Sequence, residues 1–250
     1  MAGARMRAWR RYLAVLTCAV ACLGADRALA AGGATAVDDA DVGTPGSCKV
    51  ESWAAFGAGG DFIGTMAPSC VVSIFRPVEF GAQVQRSRMD DAWGTSGSVK
   101  AKINLIPSAT GAIGIGLVGG LGFDLITKEH TGTFATVPFT FQLNDAFKVH
   151  LNAGWSNDRV LALNWFTWGA GVEWNIVKPV TFIAEVFGQT GNPFDPSTVT
   201  DPRWQAGLRF TPVDHIDLDV FYGRNIAGEG RNWITVGLNY RFDVPALQRR

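Results

Sequence analysis

The stretch WITVGLNYRF, residues 233–242, alternates from Ile234 onward between two kinds of residue. One row is apolar and consists of Ile234, Val236, Leu238, Tyr240 and Phe242. The other row is small, polar or charged and consists of Thr235, Gly237, Asn239 and Arg241. A period of two is typical of a β-strand whose faces meet different environments. The stretch therefore predicts a strand near the end of the chain with one apolar and one polar face.

The same alternation recurs along the chain. It is found in residues 78–84, 99–105, 112–125, 137–143, 147–155, 166–176, 204–210 and 216–222. Tight turn signals, such as Lys178-Pro179, alternate with longer polar segments around 57–68, 87–98, 127–132, 156–164, 188–202 and 223–232. This rhythm is typical of an up-and-down meander with two different ends. We therefore predict an all-β fold over residues 48–242, a closed antiparallel up-and-down transmembrane β-barrel of about 12 strands.

The charged residues decide which row faces lipid. From residue 147 onward, every charge in the alternating strands lies in the row opposite the apolar one. A basic residue facing lipid near the bilayer midplane costs about 2–4 kcal/mol. In a soluble barrel, the apolar row would instead crowd Trp155, Trp168, Trp174 and Trp204 into the lumen, whereas Trp near strand ends suits a membrane interface. We expect the apolar row to face lipid and the charged row to face the lumen.

The N-terminus has the pattern of a secretory signal peptide over residues 1–30. Four arginines precede the apolar stretch 12–25, and Ala28-Leu29-Ala30 offers a cleavage site. A buried helix of the mature fold and a lipoprotein anchored through Cys22 are the alternatives. Residues 31–47 are small and acidic and predict a flexible periplasmic leader, and residues 243–250 predict a C-terminal tail. Together with the predicted barrel, the export signal leads us to expect a location in the outer membrane of a Gram-negative bacterium.

Cleavage after Ala30 leaves two cysteines, Cys48 and Cys70, in an oxidising compartment. A disulfide between them requires a hairpin centred on Gly59, with Pro68 in its returning strand. If 58–68 is instead a long loop, the two cysteines lie at opposite ends of the barrel. The sequence leaves both arrangements open.

The inward row carries the candidate lumen or constriction residues. They are Glu79, Lys100, Lys102, Lys148, His150, Glu173, Glu185, Arg209, Asp217, Asp219 and Arg241. Opposite charges on neighbouring strands predict pairing of Glu79 with Lys100 or Lys102, Lys148 with Glu173, Glu185 with Arg209, and Asp217 or Asp219 with Arg241. Such pairs either brace the barrel or form a charged constriction that filters solutes. Glycines at 114, 116, 120 and 122 thin one wall, which makes room for a channel or a neighbour's side chain, or only lets the strand bend.

Enzyme motifs are weak in this sequence. His150 and Asn152 invite comparison with a Ser, His and Asn hydrolase triad, but no serine occupies 151 or 152. His130 and His215 lack the spacing of metal ligands. We therefore predict no catalytic residues, no metal site and no cofactor, and the formal net charge of zero does not indicate a nucleic-acid partner.

Three segments carry a family resemblance: HLNAGW (150–155), FIAEVFGQTG (182–191) and residues 205–242. They resemble the MetA-pathway phenol-degradation, or "transporter", family of outer-membrane barrels, which implies passage of small aromatic compounds. A last strand ending in Phe242 also resembles the signal read by the barrel-assembly machinery, although DVPALQRR follows it here.

We therefore expect a channel for passive passage of small solutes, with hydrophobic or aromatic compounds among them. The expected partners are outer-membrane lipid, the barrel-assembly machinery and a small-molecule solute. The alternative is a structural or surface-interaction barrel with an occluded lumen, no transport and a role for the loop at 188–202.

Overall fold

The computed structural model describes residues 34–89, 91–109, 112–191, 202–227 and 231–248. In these residues the strands pair antiparallel in meander order, and β1 pairs with β12 to close a barrel of 12 strands. The strands are β1 Ser47–Gly57, β2 Phe62–Ser73, β3 Pro77–Met89, β4 Ala92–Ile106, β5 Ile113–Asp124, β6 His130–Asn144, β7 Phe147–Asp158, β8 Leu163–Val177, β9 Val180–Thr190, β10 Arg203–Val213, β11 Ile216–Asn225 and β12 Asn232–Asp243. A short helix, α1 (Pro245–Gln248), follows β12. The predicted fold is confirmed.

The two faces of the wall differ as the alternation predicts. On the outer face of β11, Leu218, Val220 and Tyr222 are 42%, 55% and 43% exposed, whereas the inward Asp217, Asp219 and Phe221 are at most 2% exposed. Every backbone polar group of a closed barrel can pair within the sheet, so such a wall is stable in hydrocarbon. Within the described residues, no helix is long and apolar enough to span a membrane.

Several strands are longer than the alternating segments that predict them. β2 begins at Phe62, and β3 and β4 stay paired up to Met89 and Ala92, so the predicted long loops at 57–68 and 87–98 are wrong. In the β3–β4 hairpin several of the extra residues, such as Arg86, Ser87 and Thr95, are polar. Polar strand ends keep their ladder hydrogen bonds outside the hydrocarbon, so apolar alternation marks only the lipid-facing part of a strand.

The β1–β2 hairpin turns through residues 58–61, centred on Gly59, and brings Cys48 directly opposite Cys70. The two cysteines form a disulfide. Pro68 lies inside β2 and pairs in register with Val50, while the β2–β3 register omits Ala67 and Pro68. Proline has no backbone N–H to donate to a neighbouring strand, which accounts for this gap. Of the two arrangements open to the sequence, the structure has the hairpin.

Two regions were predicted before the first strand, a signal peptide and a flexible leader. The predicted signal peptide, 1–30, lies outside the described residues. The expectation of a flexible leader at 31–47 differs from the structure, because residues 34–46 run inside the barrel and Ser47 already belongs to β1. The reason is physical: the small side chains of this segment fit between opposite walls, and its backbone finds hydrogen-bond partners there.

Candidate functional site

The lumen of the barrel is crossed by residues 34–46, which we call the lumen segment. Its sequence, ATAVDDADVGTPG, contains no side chain larger than valine, aspartate or proline. Ala34, Val37, Asp38 and Ala40 are all less than 9% exposed. The segment contacts inward positions from β2 round to β12, so it spans the interior rather than lining one wall.

Lys102 of β4 anchors the acidic part of the lumen segment. Its Nζ donates to Oδ1 of Asp38 at 2.9 Å and to Oδ1 of Asp39 at 2.8 Å. The Lys102 residue is only 3% exposed. A buried ammonium is stable only when it is paired and hydrogen-bonded, so these two carboxylates compensate its charge.

A second group of donors holds Asp41. The backbone N–H of Ser108 donates to Asp41 Oδ1 at 3.1 Å, and the Ser108 hydroxyl donates to Oδ2. The amide of Asn104 donates to the Ala40 carbonyl at 2.7 Å and to Asp41 Oδ1 at 3.4 Å. The β4 strand and its following turn therefore bind all three aspartates of the segment.

The middle of the segment is held through its backbone. The Ala40 N–H donates to Oγ1 of Thr140 at 2.8 Å, and the same hydroxyl lies 3.0 Å from Nδ1 of His150. With its amide nitrogen toward the Asp38 carbonyl, Asn152 donates at 2.9 Å and accepts from the Asp38 N–H at 2.7 Å. These contacts satisfy buried backbone groups that would otherwise be costly.

At its far end the segment reaches the middle of β9 to β12. Glu185 accepts the N–H groups of Ala36 and Val37 at 2.8 and 3.0 Å, and the Gln205 amide donates to the Ala34 carbonyl at 3.0 Å. Ala34 also packs in an apolar cluster inside the barrel with Trp53, Ala67, Ile183 and Phe221. The segment and this cluster together occupy the lumen at that level.

Glycines in the wall make space for the segment. A Cβ on Gly169 would lie 2.8 Å from Val37 Cγ2, and one on Gly116 would lie 2.9 Å from the Ala40 carbonyl oxygen. A Cβ on Gly237 would lie 3.1 Å from the Cβ of Ala34. Any larger residue at 116 or 169 would collide with the segment. Gly116, one of the glycines expected to thin the wall, thus makes room for the segment's own backbone.

Ion pairs brace the remaining wall. Arg209 Nε lies 2.7 Å from Asp219 Oδ1, and Asn239 also donates to Asp219. Arg241 Nη1 lies 2.6 Å from Asp217 Oδ2. The predicted pairing of Glu185 with Arg209 is wrong, because Arg209 is opposite Thr181 and Glu185 is opposite Gln205 in the β9–β10 register.

The other predicted lumen residues differ in whether their register partner is also their ion-pair partner. Glu79 is opposite Lys102 in the register, but its described ion pair is with Lys49, at 3.5 Å. Lys148 is opposite Glu173, whose Oε2 lies 3.8 Å from His150 Nε2, and Lys100 is opposite Gly81. Lys49, which sequence reasoning missed, also lies 3.4 Å from Glu51.

Sequence reasoning also missed the residues that bind the lumen segment. On the wall these are Asn104, Ser108, Thr140, Asn152 and Gln205. The segment's own aspartates, Asp38, Asp39 and Asp41, were missed with them. One available signal was the set of glycines and short polar residues in the inward rows. Small inward residues leave volume that either water or another part of the chain must fill.

The surroundings of His150 do not resemble a catalytic triad. Thr140 is 0% exposed and its hydroxyl already accepts the Ala40 N–H, so the pair supports the segment rather than presenting a nucleophile. In the described part of the chain, no group of three or more His, Cys, Asp or Glu side chains is placed to hold a metal ion.

Comparison with known proteins first gives a family. The model of the family described as "Uncharacterised conserved protein UCP029691" matches residues 19–242. The chain therefore belongs to this family. No curated protein matches the chain. The more specific resemblance to the MetA-pathway family stays a prediction.

Solved structures with a similar fold are outer-membrane channels. The KdgM porin in complex with disordered oligogalacturonate matches with a TM-score of 0.60 and 12% identity, over 78% of this chain and 99% of that one. The NanC porin matches with a TM-score of 0.60 and 8% identity, over 76% and 98%. The COG4313 outer membrane channel from Pseudomonas putida F1 matches with a TM-score of 0.56 and 10% identity, over 81% and 97%. The chain thus has the fold of outer-membrane channel barrels.

Proposed function

We propose that the protein is an outer-membrane channel for passive passage of small solutes and that the lumen segment closes it in this conformation. One observation carries the proposal. The lumen is occupied by a segment that lies outside the β-ladder and is held through non-covalent contacts, together with a small apolar cluster. Such a segment can leave without breaking the β-ladder that closes the barrel, whereas a lumen occupied only by wall side chains cannot open in this way.

The solute is the finer part of the proposal. The family resemblance in residues 150–155, 182–191 and 205–242 favours small aromatic or hydrophobic compounds. The charged inward row favours solutes that also carry polar groups, because a row of ionised side chains selects by charge. Liposome-swelling rates for phenol, benzoate and a sugar of similar size would rank these classes.

A reversible cross-link tests the channel. A Cβ on Gly171 would lie 3.4 Å from the Cβ of Val37, close to the separation that a disulfide needs. We expect the Val37→Cys/Gly171→Cys double variant to conduct less than wild type in planar bilayers when oxidised and to recover on reduction. Each single variant, and wild type with the same reductant, is the control for the native Cys48–Cys70 disulfide.

The second candidate is a barrel without transport, and the filled lumen favours it. It predicts no conductance even after the segment is displaced. A correctly folded barrel, judged by heat-modifiable gel migration, that conducts neither as wild type nor with the segment displaced would overturn the channel proposal and support this candidate.

A further inference from the structure

We propose that Lys102, Asn104 and Ser108 form a binding site for carboxylate-bearing solutes and that the lumen segment occupies this site as an internal competitor. The inference rests on the proposed channel function and names its solute class. A small dicarboxylate is the ligand that fits the chemistry of the site best.

The first argument is the chemistry of the present occupant. One ammonium binds the carboxylates of Asp38 and Asp39, and a hydroxyl, a backbone N–H and a side-chain amide bind the carboxylate of Asp41. These are two adjacent carboxylate subsites, both built from donors. Asn104 also binds the segment's backbone, so the wall recognises a short chain that carries acidic groups.

The second argument is the charge that remains when the segment leaves. We consider the half of β1, β3 and β4 that lies on the side of the β2–β3 turn. It has three inward cations, Lys49, Lys100 and Lys102, and two inward carboxylates, Glu51 and Glu79. This part of the wall therefore has a charge of 3 − 2 = +1 by itself. Glu79 faces Lys102 in the register but is shared with Lys49, so it does not compensate both. One carboxylate of a dicarboxylate would compensate this charge, and the other would accept hydrogen bonds from the neutral donors of Asn104 and Ser108.

The third argument concerns competition. The lumen segment is joined directly to β1, so the binding of its carboxylates to Lys102 is intramolecular. Short tethers give effective concentrations in the millimolar range. A free dicarboxylate must exceed this value in wild type, and it binds more readily once the segment carboxylates are removed.

Calorimetric titration of glutarate into the folded barrel in detergent tests the site without any need for conduction. We expect the Asp38→Asn/Asp39→Asn/Asp41→Asn variant to bind glutarate about tenfold or more tightly than wild type, given a millimolar internal competitor. The uncharged analogue glutaramide should not bind. Adding Lys102→Gln should abolish glutarate binding, whereas adding Lys148→Gln, which removes an inward lysine on β7, should not.

A second variant guards against poor folding of the first. Gly169→Leu displaces the segment by steric clash near Val37 and leaves every charge in place. We expect it also to bind glutarate more tightly than wild type. If neither variant gains affinity, or if Lys102→Gln leaves binding intact, the site inference is overturned even if the barrel conducts. If glutarate binds as expected in a barrel that never conducts, the channel proposal fails and the site stands.

Discussion

Oε1 of Glu185 accepts a hydrogen bond from the backbone N–H of Val37 at 3.0 Å, across 148 positions of sequence. Oε2 of the same carboxylate accepts the N–H of Ala36 at 2.8 Å and the Gln205 amide at 2.6 Å. One side chain of β9 thus fixes two consecutive peptide groups of the lumen segment. The contact makes the position of residues 36 and 37 depend strongly on this carboxylate.

Removing that carboxylate should loosen the segment. Glu185→Ala leaves two buried N–H groups without their acceptor, at a cost of about 1–3 kcal/mol for each. We expect the backbone amides of Ala36 and Val37 to exchange hydrogen at least tenfold faster, as measured by mass spectrometry. Glu185→Gln keeps one acceptor oxygen and should give a smaller increase. Equal protection in wild type and Glu185→Ala would contradict the role assigned to Glu185.

A wall glycine offers a steric test of the same contact. Gly169→Leu places side-chain atoms where Val37 lies, since even a Cβ would be 2.8 Å from Val37 Cγ2. We expect a severalfold rise in conductance in planar bilayers together with faster amide exchange in residues 36–40. Adding Val37→Ala frees part of this space and should restore the wild-type values. A closed channel in Gly169→Leu would mean that the segment does not limit conduction.

The wall ion pairs should differ in their contribution to stability. Asp219 is 1% exposed and is bound by Arg209 and Asn239, so Asp219→Ala leaves an uncompensated guanidinium inside the barrel. We expect the free energy of unfolding to fall by about 3–5 kcal/mol, measured by urea titration in lipid vesicles. Asp217→Ala should cost less, because the Arg241 side chain is 44% exposed and can meet water. The reverse order would contradict this account.

The outer face of β11 gives a test of which row of side chains faces lipid. Leu218→Arg places a guanidinium against lipid and should lower the free energy of unfolding in vesicles by about 2–4 kcal/mol. Lys100→Arg, which keeps a cation on the lumen side, is the matched control and should change it little. If Leu218→Arg is as stable as the control, the row containing Leu218 does not face hydrocarbon.

The barrel could be predicted from the sequence because its decisive signal is local. In residues 216–222, each side chain alternates between lumen and lipid, and the structure has the same parity. The tight-turn signal Lys178-Pro179 lies where β8 reverses into β9. Period-two alternation depends only on residues close together in the chain, so it can be recognised in a single sequence.

The lumen segment could not be predicted because its contacts are not local. Asp38 and Lys102 are 64 positions apart, and nothing in the composition of either region indicates the other. Small and acidic residues without a period are typical of flexible segments, and here the same properties let the segment fit into a narrow polar space. The partner of Arg209 was mispredicted for a related reason, because register between strands depends on the length of each turn.

The β1 strand has two roles: it continues directly from the lumen segment, and it forms one side of the β1–β12 seam. Its other neighbour, β2, is linked to it through Cys48 and Cys70. If the barrel closed first, the lumen segment would have to enter it afterwards and pass side chains such as Trp53 and Phe221. If the segment instead binds to the concave side of the sheet before closure, the pairing of β1 with β12 encloses it in one step. The segment that closes the channel would then be enclosed during barrel assembly itself.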